Sequence, residues 1–135
     1  MIRPRAVIIA ETVIHDRNTN RMSLININEQ FRSPGYPLLI ARFTVFSIIE
    51  RDNMTDPQDA EARIRIRLDE EVIFEQQIEV NFENSLLNRN VLQFQGFVVP
   101  HPGNLIASVQ IADQILDSYR ISITPAPTPP PEQLH

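Results

Sequence analysis

The chain's apolar residues recur every second position, and no segment carries them at helical spacing. Glu61 to Leu68 gives the clearest example. Ala62, Ile64, Ile66 and Leu68 alternate with Arg63, Arg65 and Arg67. Successive side chains of a strand point to opposite faces, so this spacing makes one face apolar and the other charged. A chain built this way throughout has to fold as sheets. The apolar set suits that outcome, because Ile dominates it with Val and Leu behind, and β-branched residues fit a pleated surface.

Eight strands are expected, at intervals short enough for antiparallel hairpins. They are Ala6 to Ile14, Met22 to Ile27, Leu38 to Ile49, Glu61 to Leu68, Val72 to Phe82, Val91 to Val99, Leu105 to Ile111 and Ile115 to Thr124. Polar or Pro/Gly-containing stretches separate them: Asp16 to Arg21, Asn28 to Pro37 with Pro34-Gly35, Glu50 to Ala60, Glu83 to Asn90 and Pro100 to Asn104. The third strand is apolar on both sides. Leu39, Ala41, Phe43, Val45 and Ile49 are its expected core face, and Ile40, Phe46 and Ile48 lie opposite as a possible interface. The fifth puts Phe74, Ile78, Val80 and Phe82 toward the core, with one slip of parity. The expected architecture is an all-β antiparallel sandwich of Ig-like or C2-like kind. It occupies residues 1–124 as one domain. Residues 125–135, rich in Pro, form an expected disordered tail, since Pro cannot donate to a ladder.

At 135 residues the chain is long enough to bury a core without disulfides or metals. It has no Cys, which excludes disulfide frameworks, Cys-ligated zinc and thiol nucleophiles. All 12 basic residues are Arg, so Schiff-base chemistry and a P-loop lysine are excluded too. The net charge of −5 argues against a nucleic-acid partner. The run from Ala6 is broken by Glu11 and lacks a small-residue cleavage site, so it does not read as a signal peptide. No stretch reaches the roughly 20 apolar residues of a membrane span. The expected location is the cytoplasm.

Three stretches carry a resemblance. Val7 to Glu11 leads through Asn20 into Ser23 to Ile27. Leu38 to Phe46 has Arg42 at its centre. Pro102-Gly103-Asn104, the seventh strand, Ala112-Asp113-Gln114 and the eighth strand form a closing hairpin. In these the chain resembles a family of small bacterial and phage β-sandwich proteins of unassigned function. The resemblance implies the fold and no activity.

Few residues suggest chemistry. Glu11 and Arg42 sit mid-strand, and a charge-assisted pair between them would satisfy two groups that are costly to bury alone. Arg63, Arg65 and Arg67 form a cationic stripe that Glu75 and Glu79 of the next strand can neutralise, or that a charged partner can meet. Asp52, Asn53, Asp56 and Asp59 gather oxygens in one loop, a weak calcium candidate without EF-hand spacing. His15, His101 and His135 are scattered, and zinc needs three or four convergent ligands. Ser47, Ser108, Ser118 and Ser122 lie in no nucleophile elbow. Pro129, Pro130 and Pro131 offer a polyproline ligand or a plain spacer. No catalytic residue, metal site or cofactor is assigned. The reading is a non-enzymatic protein-interaction or adaptor domain, whose partner is another protein or a second copy rather than nucleic acid, membrane or a small molecule. The alternatives are a structural subunit of a phage or secretion-type assembly, and a small hydrolase or calcium-dependent binding module.

Overall fold

A computed structural model describes residues 1–127. Those residues form ten strands and no helix: β1 (Ile2–Asp16), β2 (Arg21–Ile27), β3 (Gln30–Ser33), β4 (Leu38–Arg51), β5 (Asp59–Leu68), β6 (Glu71–Asn81), β7 (Leu87–Val99), β8 (Gly103–Ile111), β9 (Gln114–Asp117) and β10 (Ile121–Pro125). One sheet has the order β2-β1-β4-β7, and the other β3-β10-β8-β5-β6 with β9 also on β8. Every pair is antiparallel except β3 with β10. One apolar cluster joins the sheets, with Val7, Ile9, Phe43, Val45 and Val99 from the first and Ile64, Leu68, Leu105, Val109 and Ile123 from the second.

Two short elements raise the strand number from eight to ten. β3 lies inside the expected Asn28 to Pro37 connection, and four residues are too few to display a period. Its Phe31 packs against the core. The expected eighth strand is split by Ser118. The Ser118 hydroxyl accepts the Ala107 N–H at 3.0 Å, and the Ser118 amide donates to the Ala107 carbonyl at 2.7 Å. A side chain thus takes one rung of the ladder, and β9 and β10 follow one another along β8. β10 runs through Pro125, opposite Ser33, and the Ala126 amide donates to the Ser33 carbonyl at 2.8 Å. Pro129, Pro130 and Pro131, and the tail expectation from residue 128 on, lie outside the described residues.

The expected core face of β4 is half right. Phe43, Val45 and Ile49 are fully buried, but Leu39 is 64% exposed while Ile40 is 6% exposed and belongs to the core. The alternation reverses between Ile40 and Phe43. β7 reverses with it, because Phe97 opposite Ile40 and Phe94 opposite Phe43 both join the core. Gly96 stands in that step at φ +96°, a conformation that L side chains rarely adopt. Below it Phe43 stacks on Phe97 with centroids 4.5 Å apart, and Phe94 meets Phe43, Phe97 and Phe74 edge-on.

The β1–β2 hairpin departs from its sheet. β1 pairs with β4 only as far as Ala10, and beyond that with β2 alone. Its tip returns toward β7, where Arg89 Nη1 donates to the Asn20 carbonyl at 2.8 Å. Phe46 alternates with core-facing Val45 and lies between Ile8 and Val91 on the outward side, yet is only 3% exposed. Ile40, Phe46 and the half-buried Ile48 therefore form no exposed interface patch.

Candidate functional site

The expected site residues are dispersed. Glu11 and Arg42 do approach, at 4.0 Å, but their side chains are 37% and 69% exposed, and Asn26 Nδ2 is the nearer partner of Glu11 at 2.6 Å. Such a pair contributes about 0–1 kcal/mol. Glu75 receives both Arg63 (3.3 Å) and Arg65 (3.1 Å), and Asp117 receives Arg67 (3.3 Å). Glu79 takes no part in neutralising the stripe, because the register sets it opposite Glu61.

The oxygens of the acidic loop are taken up by donors of the protein, Asp52 by Arg3 and the Met1 ammonium among them. Asp56 Oδ2 accepts the Met1 ammonium at 2.7 Å and the amides of Asp52 and Asn53. The ammonium above all holds the Asp56 carboxyl below its ordinary range. Asn53 Oδ1 accepts the amides of Thr55 and Asp56, and Asp59 accepts Asn81 Nδ2. Among the described residues no three carboxylates or imidazoles converge on a metal position. The His15 ring bonds Asn20 Oδ1 at 2.9 Å and His101 the Pro102 carbonyl at 2.8 Å, in different turns.

What the fold does build is an open cleft of about 910 Å³ between the β1–β2 hairpin and the segment from Asn81 to Arg89. Its organiser is Arg51, the last residue of β4, which is 2% exposed. No carboxylate pairs with it among the described residues. Its Nε donates to the Ser85 carbonyl at 2.8 Å and its Nη1 to the Asp56 carbonyl at 2.9 Å. Its guanidinium lies 5.2 Å from the centre of the Phe82 ring. Carbonyl dipoles and a π face replace the water that a buried cation loses. One side chain thereby ties the loop after β4 to the loop before β7. Alternation continued from Phe43 through Val45, Ser47 and Ile49 puts Arg51 on the core side, and that was the signal for it.

Amides complete the frame. Gln58 Nε2 donates to Asn84 Oδ1 at 2.6 Å while the Asn84 amide donates to Gln58 Oε1 at 3.0 Å. Asn88 Nδ2 donates to the Asn81 carbonyl at 2.7 Å. Glu83 and Asn84 both have positive φ, 51° and 62°, which turns the chain sharply ahead of β7. Apolar side chains stay uncovered in the cleft: Met54 is 52% exposed, Leu86 43%, Leu87 37% and Val91 47%. Its ionisable side chains are His15, Glu83 and Arg89. The result is an apolar strip with an amide rim, suited to holding an extended chain. No protein-family model matches the sequence, and no curated protein does.

Proposed function

We propose that this chain is a non-enzymatic protein-interaction domain that holds an extended segment of a partner protein in the cleft between the β1–β2 hairpin and β7. The observation that carries this reading is the set of exposed apolar side chains Met54, Leu86, Leu87 and Val91 inside one amide-rimmed cleft. Apolar surface gathered in a concavity is where association gains most from water release. Asn side chains around it supply donors and acceptors for a peptide backbone. On this reading the two sheets are an Ig-like or C2-like sandwich, like those of the small bacterial and phage proteins the chain resembles. The domain works in the cytoplasm without a cofactor.

The test compares partner capture by the wild type and by Leu86→Asp, with mass spectrometry to identify what is bound. The reading expects a stoichiometric protein partner that the variant loses while keeping its melting temperature. Equal capture by both proteins would count against the cleft. A structural-subunit role remains the second reading, favoured by the long open edge of β7.

A further inference from the structure

We propose that β7 is a self-association edge, along which two copies of this chain pair antiparallel to join their four-stranded sheets. β7 spans 13 residues and pairs on one side with β4, leaving its other side without a strand among the described residues. An open strand side presents a row of N–H and C=O groups, which templates pairing unless something blunts it.

The other open sides are blunted. β6 carries Glu71, Glu75 and Glu79 and a register shift opposite Ile66/Arg67. The first half of β1 carries Pro4 and a register shift beside it. β3 and β9 have four residues each. β2 is interrupted by Asn26 at φ 56°. β7 has no Pro, no acid and one charge, Arg89; its positive-φ residue, Gly96, lies beyond Gln95, and the register with β4 stays in step from Leu87 to Gln95.

The occupant follows from symmetry and order. A second copy brings an edge already extended and fixed, whereas a free peptide loses chain entropy on pairing. An antiparallel two-fold pairing is isologous and closes at two. Centred near Gln93, it separates the two copies of Arg89 by eight residues, or about 27 Å, so no like charges oppose each other. Val91, Gln93 and Gln95 are exposed and become cross-strand neighbours of the other copy.

Val91 belongs to both the seam and the cleft, whereas Gln93 and Gln95 do not line the cleft. Light scattering on the full chain, from about 1 μM to about 1 mM, reads the mass. The wild type is expected to rise from 15.5 kDa to twice that value. Gln93→Lys/Gln95→Lys should shift the midpoint upward by about tenfold or more. A control on the other edge, Gln76→Lys, should leave it in place. A wild type that stays monomeric throughout, a β7 variant that dimerises as well as the wild type, or an equal effect of the β6 control each overturns the proposal. Should the double variant fail to fold, amide exchange on the wild type decides. Protection of alternate β7 amides that rises with protein concentration supports the edge, and concentration-independent exchange overturns it. Partner capture through the cleft should survive the β7 substitutions, which separates this proposal from the proposed function.

Discussion

Two arginines on β4 show how little residue type alone determines energetic weight. Arg42 reaches a carboxylate and Arg51 reaches none among the described residues, yet Arg51 is the one the fold encloses. Arg42 is 69% exposed and trades water for a distant Glu11. Arg51 is enclosed and holds two loops by their carbonyls. Arg51→Ala is expected to cost about 2–4 kcal/mol, because it orphans buried acceptors and empties a packed site. Arg42→Ala is expected to cost less than about 1 kcal/mol. Urea unfolding of the two variants checks the contrast, and similar losses would contradict it. The mid-strand ion pair was legible in the sequence as a contact but not as an exposed one, since burial depends on where β1 leaves β4.

Acid tests the same scale. The Asp16 carboxyl is held below its ordinary value first by the amide of Asn18 and next by that of Thr19. Asp56 is lowered by the Met1 ammonium. A lowered carboxyl stabilises the fold above its unfolded pKa, and that contribution disappears as pH falls through the folded one. Stability should therefore decline as pH drops below about 4. Asp16→Asn should show a shallower decline over that window than the wild type in denaturant titrations at successive pH values.

Among the elements, β5 was fully readable and β4 was not. In β5 every residue of the outward face is charged, Asp59 and Glu61 followed by three Arg, so parity has one solution, and Ala62, Ile64, Ile66 and Leu68 are each at most 2% exposed. In β4 both faces are apolar, and the reversal after Ile40 leaves no mark on hydropathy. It is marked on β7 instead, by Gly96. A Cβ there would meet Leu39 Cδ1 at 3.4 Å and force a side chain into a region favouring Gly. Gly96→Ala is expected to destabilise by about 1–3 kcal/mol, measurable as a fall in melting temperature. An unchanged melting temperature would mean that the strands can reverse their faces without a glycine.

For the whole molecule, period-two patterning announced an all-β chain, and the two sheets follow from it. The cleft could not be read in the same way. Its walls come from the β1–β2 hairpin, the turn after β4 and the approach to β7, and none of its residues bears a chemical signature. Only the crossing of β1–β2 toward Arg89 brings them together. Pro125 and Ala126 are tied into the second sheet, because they run alongside Ser33. A chain ending after Thr124 should melt below one ending after Pro127, as scanning calorimetry can show. Equal melting would make that contact dispensable.

The way Arg51 is held has a consequence for chemistry in acid. A loop fastened by a carboxylate loosens when that carboxylate takes up a proton. A guanidinium keeps its charge across the whole working range, and amide carbonyls and a phenyl ring have no proton to gain. The clasp between the turn at Asp56 and the turn at Ser85 is therefore built without a carboxylate. Acid can strip away the contacts of the Asp56 carboxylate and leave this fastening closed.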